Sequence, residues 1–450
     1  MQVEPSIFKA YDIRGVYGTS LFDDTAVAVG KAFAKVLSPS TVIVGRDARV
    51  SSPVLHQKLI EGLTSVGVSI IDIGMVSTDM YYHACAVKQL PGIMVTASHN
   101  PKEYNGFKMV RQIPYLLSGD EGIQDIRRVI EADDFPAPAT TPGTVEQWNV
   151  MEGFIEKIAS LVDLSALKPM TVIIDTANGM VGPSLIELFK QLPQIKLVPM
   201  YFEPDGSFPN HGGDPLQEEN RLELMERVAA EGADLGFAFD PDGDRFFCVD
   251  GKGRFVSGDF MTAVMAEYFL KKYPGAPIVY DIRASHAVPD LINKAGGVPL
   301  YNRVGHAFIK KRMMDEGAVF GGEVTGHYYF KDYYFCDSGL APMVYLMDLL
   351  SKSDKKLDHI LDELSSVYYI SGEINTKGVD AKTVIAKIKD VYGTQANEVL
   401  EVDGVSCLFD DWHFNVRGSN TEPLVRLNLE ATSQARMEEK RDEVLALIRG

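Results

Sequence analysis

Short β-branched runs alternate with amphipathic helical windows along most of the chain, the pattern of parallel strands joined by crossover helices. Three stretches repeat one plan. In the first, the strand-like TVIVG from Thr41 leads through a polar loop, Arg46-Asp47-Ala48-Arg49, and a helix to VSIIDIG, then to GIMVTASHN. In the second, TVIIDTANG from Thr171 leads to IKLVPM and then to LGFAFDPDGDR. In the third, PIVYDIRASH from Pro277 leads to VPLYNRVGH and then to AVFGGEVTGH. Each unit ends by delivering a polar loop after an apolar run, and loops at the carboxyl ends of parallel strands are where α/β folds place ligands.

The pattern changes after the helical windows around Leu340 to Leu364. YYISGEINT, a helix from Asp380, extended runs around VSCLFDD and WHFNVRGSNTEPLVRLNLE, and a last helix from Gln434 make a smaller α+β domain. The Pro-rich Asp133 to Glu146 reads as a linker or surface excursion, and FFCVDGKGRFV, turning at Gly251 to Gly253, as a hairpin. The expected architecture is three similar α/β domains with mixed, mainly parallel sheets, over 1–147, 148–255 and 256–366, followed by a smaller C-terminal α+β domain over 367–450, all around a central cleft. The 450 residues fit three or four domains at about 100 to 200 residues each.

Composition narrows the partners. A net charge of −18 argues against broad nucleic-acid binding and against an anionic membrane, since both reward a basic face. It leaves a small anionic ligand open, because that ligand sees only its local field. Cys85, Cys248, Cys336 and Cys407 form no CxxC pair, so neither a zinc knuckle nor a disulfide framework is indicated. The start lacks a basic stretch followed by an apolar core, and the apolar stretch from Leu340 to Met347 is too short to span a bilayer. A cytoplasmic protein is expected.

Four loops carry chemistry. In Thr96-Ala97-Ser98-His99-Asn100-Pro101, followed by Tyr104-Asn105-Gly106-Phe107-Lys108, a serine leaving a strand exposes its hydroxyl and could be a nucleophile or a phosphoryl carrier. Ser98 and His99 point in opposite directions if extended, which makes them a poor hydrolase pair; an N-capping serine in an Asn-Pro turn is the plain alternative. In Asp240-Pro241-Asp242-Gly243-Asp244-Arg245, three carboxylates at alternate positions can point at one hard cation such as Mg²⁺, with Arg245 offsetting the remainder. An EF-hand is excluded because its twelfth position would be Gly251. A solvated acidic turn is the alternative. Gly321-Gly322-Glu323-Val324-Thr325-Gly326-His327 offers a carboxylate, a hydroxyl and an imidazole suited to a sugar, or is a glycine turn. Arg417-Gly418-Ser419-Asn420-Thr421-Glu422-Pro423 makes a phosphate cradle or a plain loop with a solvated Arg. No Walker A motif occurs, so nucleotide binding is not supported. Basic residues gather near these loops, Arg14, Arg46, Arg49, Lys108, Arg245, Arg283 and Arg417 with Lys310 among them. With one metal loop and one serine loop they point to a pocket that handles phosphate.

KAYDIRG from Lys9 to Gly15, TASHNP with YNGFK, DPDGDR, GGEVTGH and RGSNTEP, in this order over essentially the whole chain, resemble the α-D-phosphohexomutase family, its bacterial phosphomannomutase and phosphomannomutase/phosphoglucomutase branch in particular. The resemblance implies Ser98 as a phosphoserine, with Asp240, Asp242 and Asp244 holding Mg²⁺ together with an oxygen of that phosphate. It matches Glu323 and Thr325 to the sugar-hydroxyl loop, and Arg417, Ser419, Asn420 and Thr421 to the loop gripping the non-reacting phosphate. Tyr11, Arg14, Lys108, Arg245, His306 and His327 fall where the family lines its cleft. Thr325 stands where Ser is usual, Val324 is neither the Met nor the Gln that marks sub-branches, and Arg283 occupies the place of a common Lys.

The implied activity is conversion of mannose 6-phosphate and mannose 1-phosphate, with the glucose pair as a second substrate, through phosphorylated Ser98 and a hexose 1,6-bisphosphate intermediate. Lys108, His99 and His327 are the candidates for the proton acceptor. Two other readings remain open: a metal-dependent sugar phosphatase with Asp240 as nucleophile, and a non-catalytic phosphosugar-binding protein. A monomer or homodimer is expected.

Overall fold

The computed structural model describes residues 3–119, 121–419 and 424–450. The chain divides into two compact units, one of residues 1–255 with 325–354 and the other of residues 256–324 with 355–450.

In the first unit, Thr41–Arg46 lies between Ser69–Met75 and Gly92–Val95, parallel to both. Tyr104–Gln112 then runs back antiparallel against Gly92–Val95, and Ile13–Val16 pairs antiparallel with its far edge. The second repeat builds the same core: Met170–Asp175 lies between Ile195–Met200 and Leu235–Phe239, all parallel, and Phe246–Asp250 returns antiparallel. In the second unit, Pro277–Asp281 lies between Val298–Asn302 and Phe320–Gly322, parallel to both. Each repeat therefore places its first strand centrally and adds its second and third on opposite sides. That reversal opens a crevice beyond the carboxyl ends of the strands. The first and third strands of each repeat are buried over most of their length and read as near-continuous apolar runs, whereas the second strands Ile195–Met200 and Val298–Asn302 are partly exposed.

The tail forms a wholly antiparallel sheet in the order Tyr369–Lys377, Leu424–Ala431, Trp412–Gly418, Val405–Leu408, Glu398–Leu400. Helices Ala381–Tyr392 and Gln434–Arg449 pack on it, capped by Asp380 and Ser433. The expected α/β class with a smaller α+β tail is the architecture found.

The Pro-rich excursion is tied down. Ala139 and Gly143 donate backbone N–H groups to Ser65 and Thr64, and the segment ends as the edge strand Val145–Gln147 beside Ser69–Met75. The apolar run from Leu340 is the helix Leu340–Lys352, buried along most of its length. Among the described residues no helix is long and apolar enough to cross a membrane. All four cysteines are free and buried.

Candidate functional site

The serine loop leaves Gly92–Val95 and the acidic loop leaves Leu235–Phe239, each the third strand of its repeat, and both belong to the first unit. Ser98 is buried and left-handed, with φ +51°. Its N–H donates to Thr96 Oγ1 at 3.0 Å, and its Oγ donates to Asp240 Oδ2 at 3.0 Å. No helix follows, so Ser98 is not a helix cap. The left-handed turn also changes the expectation for its neighbour: His99 Nδ1 lies 3.2 Å from Ser98 Oγ, because opposite side-chain directions hold only for extended backbone. A non-glycine residue held at positive φ stores strain that the surroundings must offset, and such residues concentrate at functional sites.

The acidic loop bends at Gly243, which needs no side chain on two counts. Its φ is +76°, and a Cβ there would lie 2.5 Å from Val181 Cγ2. The bend brings one carboxylate oxygen each of Asp240, Asp242 and Asp244 within 4.8 Å of one another, all three residues buried. Lys108 Nζ sits 2.7 Å from Asp242 Oδ2 and also bonds Asp244 Oδ2. Thr78 Oγ1 at 2.6 Å and Thr96 Oγ1 at 3.2 Å donate to the same Asp242 oxygen. On the other side, Asp242 Oδ1 and Asp244 Oδ1 are buried without a hydrogen-bond partner among the described residues. Buried orphan carboxylate oxygens are costly, and a hard divalent cation with oxygen ligands is the group that removes the cost. The donor set therefore fits a metal such as Mg²⁺.

Electrostatics follow the geometry. Burial, with the charges of Asp242 and Asp244, pushes the Asp240 carboxyl well above its ordinary value. Burial also pushes at Asp242, but Lys108 outweighs it and holds that carboxyl below the ordinary range. The same pairing overcomes the burial of Lys108 and holds it as an ammonium. Burial, reinforced by Arg245, Arg14, His327 and Lys108, keeps the His99 imidazole neutral.

Arg245 donates its backbone N–H to Asp240 Oδ1 at 3.1 Å and its Nε–H to His327 Nε2 at 3.1 Å. A guanidinium only donates, so His327 Nε2 is the acceptor, while its Nδ1 lies 2.9 Å from Asp337 Oδ2. Arg14 donates to Asn100 Oδ1 at 2.6 Å and to Asp12. Tyr11, Arg14, Ser98, His99, Lys108, Asp240, Asp242, Asp244, Arg245, Thr325 and His327 all lie in the first unit.

The second unit carries Arg283, His306, Glu323, Arg417 and Ser419. Arg283 donates to both oxygens of Asp281, at 3.0 and 2.9 Å, and to Glu373 Oε2 at 2.8 Å, while Glu323 lies 4.0 Å away. His306 opens helix His306–Glu316, and Glu323 is buried just beyond Phe320–Gly322. Arg417 is buried at the end of Trp412–Gly418; burial and the charge of Arg283 lower its affinity for its proton. Ser419 donates its N–H to Leu424 O at 2.9 Å. Asn420 and Thr421 lie outside the described residues.

Sequence reading did not single out Thr78, Asp337 or the role of Arg49. Thr96 stood in a quoted loop and was recoverable. Thr78 reaches Asp242 from the start of helix Thr78–Lys88, 164 residues away, and no local pattern marks it.

A left-handed serine hydrogen-bonded into a buried carboxylate trio, beyond the strands of two like-wound parallel sheets, is an arrangement that suits phosphoryl transfer on an α/β scaffold. Family models place it further. Those for phosphoglucomutase/phosphomannomutase α/β/α domains I, II and III match residues 5–137, 152–253 and 257–368, and that for the C-terminal domain matches 373–447. The chain belongs to the phosphoglucomutase/phosphomannomutase family. It is 40% identical over 444 residues to a phosphomannomutase of Escherichia coli strain K12, covering 97% of each chain. It is 40% identical over 446 residues to a protein of Xanthomonas campestris named phosphohexose mutases, covering 98% of this chain and 99% of the other. Among solved structures, a phosphoglucomutase/phosphomannomutase family protein from Burkholderia thailandensis superposes with a TM-score of 0.89 at 34% identity, covering 100% of this chain and 98% of that one.

Proposed function

We propose that the protein interconverts mannose 6-phosphate and mannose 1-phosphate, and the corresponding glucose pair, through phosphorylated Ser98 and a hexose 1,6-bisphosphate. The observation that carries this reading is the Ser98 hydroxyl, buried and held 3.0 Å from Asp240 at the edge of a carboxylate trio with orphan oxygens. The names of the full-length relatives supply the sugar.

Asp240, Asp242 and Asp244 would hold Mg²⁺, which when bound neutralises charge on phosphoryl oxygens. In the forward half-reaction, the bond from Ser98 Oγ to phosphorus breaks as the free sugar hydroxyl oxygen bonds to phosphorus. The sugar hydroxyl proton passes to a base, and the departing Ser98 Oγ takes up a proton. In the return half, Ser98 Oγ gives up its proton to a base as it bonds to the phosphorus of the other phosphoryl group, the bond from that phosphorus to the sugar oxygen breaks, and the departing sugar oxygen takes up a proton. Arg245, beside Asp240, offers a fixed guanidinium to the equatorial oxygens of a loose transition state. Lys108, held as an ammonium, can give a proton in that state but not take one; His99, neutral and 3.2 Å from Ser98 Oγ, can take one. Tyr11, Arg14, Arg283, His306, Glu323, Thr325, Arg417, Ser419, Asn420 and Thr421 remain the proposed grips on sugar and distal phosphate.

Ser98→Ala is expected to lose activity by more than about 10³-fold, and intact-mass measurement of active wild type to show a phosphoryl adduct on Ser98. Inorganic phosphate release that survives Ser98→Ala would instead support the phosphatase reading. Specificity constants for mannose 1-phosphate and glucose 1-phosphate, followed by ³¹P NMR, set the sugar preference.

A further inference from the structure

Arg49 is 1% exposed and contacts the serine loop from outside it. Its Nη1 donates to Pro101 O at 2.7 Å and Tyr104 O at 2.9 Å, its Nη2 to Ser98 O at 2.6 Å and Asn100 O at 2.7 Å, and its Nε to Asp47 Oδ2 at 3.2 Å. All five guanidinium N–H groups are used. Four of them gather carbonyl oxygens from one short stretch, residues 98 to 104, so the loop is wound around a single planar fork.

The fork is itself held. Asp47 Oδ1 accepts the Arg49 N–H at 3.0 Å, the Phe208 ring lies 5.4 Å from the guanidinium carbon, and Arg49 forms a β-bridge with Gly206. Gly206 fits only because it lacks a side chain: a Cβ there would lie 2.2 Å from Ala48 O and 2.4 Å from Arg49 Cα. Gly206 and Phe208 thus hold Arg49 from a segment other than the serine loop, the one through its backbone and the other through its ring.

We propose that Arg49 is a positioning residue for phosphoryl transfer at Ser98, fixing the left-handed turn that presents Oγ to Asp240, with Gly206 and Phe208 as its backstop. The proposal rests on the reading of Ser98 as the phosphoryl carrier. Carbonyls drawn onto the guanidinium have their negative ends neutralised there, which lowers the cost of placing a dianionic phosphoryl group on the adjacent hydroxyl. An ammonium has three donors on a flexible stem and cannot reproduce the planar fork.

The test compares wild type, Arg49→Lys, Arg49→Gly and Gly206→Ala for kcat, KM, melting temperature and single-turnover transfer from phospho-Ser98 to sugar phosphate. For Arg49→Lys, kcat and single-turnover transfer should fall at least about tenfold while KM stays within about threefold. Gly206→Ala, which keeps the arginine but displaces its backbone, should fall in the same direction. Millimolar guanidinium chloride should restore part of the transfer rate in Arg49→Gly and none in Ser98→Ala. A role confined to folding predicts a lower melting temperature with normal kcat in the folded fraction and no rescue. Wild-type kcat in folded Arg49→Lys, or failure of guanidinium to raise transfer in folded Arg49→Gly, overturns the proposal. If instead wild type is never phosphorylated on Ser98, the parent reading fails and this one falls with it. If Arg49→Lys and Arg49→Gly do not fold, unchanged kcat in Gly206→Ala overturns it.

Discussion

At the scale of single residues, the site is a balance of buried charges. Asp240 is the carboxyl that burial and its two acidic neighbours burden most, while Asp242 has Lys108 for relief. Removing the Asp240 charge should therefore cost the metal-free fold little. It should also remove a metal ligand. A ligand that binds only the native state stabilises it by about 2.7 kcal/mol at a hundred times its dissociation constant. Calorimetry should accordingly show wild type melting higher with added Mg²⁺ and Asp240→Asn melting at one temperature with or without it. An undiminished Mg²⁺ shift in the variant would remove Asp240 from the ligand set. At this scale the sequence showed the residue types and their spacing, and the alternate aspartates were legible because three carboxylates in one turn demand a counter-charge. The approach of His99 to Ser98 was not legible, since it depends on one left-handed φ.

Elements show how the local pattern becomes packing. Helices Asp23–Leu37 and Ser52–Ser65 cross where Gly30 and Gly62 let their backbones meet; a Cβ at Gly62 would lie 2.3 Å from Val27 O. Helix propensity alone favours alanine over glycine by about 1 kcal/mol. The backbone clash decides the sign, because overpacking costs about 1 to 3 kcal/mol and a carbonyl cannot rotate aside. Gly62→Ala should thus lower the urea midpoint.

The strand Ser69–Met75 yields a pH dependence. Asp72 lies 3.0 Å from His56 Nε2 and accepts from Gln147 at 2.8 Å and from Gly74 N–H at 2.9 Å. Burial pushes its carboxyl up, yet these partners together draw it down to about 2. A carboxyl lowered in the folded state contributes stability above its unfolded value near 4 and loses it as pH falls toward 2. Melting temperature should fall across that window in wild type and fall less steeply in Asp72→Asn. Equal slopes would sink the assignment.

For the whole molecule, chain order and compactness do not coincide. The first unit takes residues 325–354 from beyond a stretch that belongs to the second. Helix Leu340–Lys352 packs on Met151–Ala159 and on strand Phe246–Asp250, Lys168 donates its N–H to Ser351 Oγ at 2.9 Å, and Phe246 meets the Tyr328 ring at 6.2 Å. A fragment ending at Phe255 should therefore expose that apolar face and melt about 10 °C or more below the full chain. Supplying 325–354 through a short linker should recover most of the loss. A fragment as stable as the full chain would show that the returning segment contributes nothing.

The amino-acid sequence by itself determined the three repeats of one strand-and-helix plan, the smaller α+β tail and the polar loops that follow the strands, because alternation, helical periodicity and turn residues act between near neighbours. Tertiary structure alone decided that Arg49 spends all five donors on the serine loop and its anchor, that Thr78 reaches Asp242, and that Asp337 lies against His327. Those meetings depend on how long crossovers pack onto a twisted sheet, and the energy that fixes them is shared among many buried contacts that no short stretch of chain records.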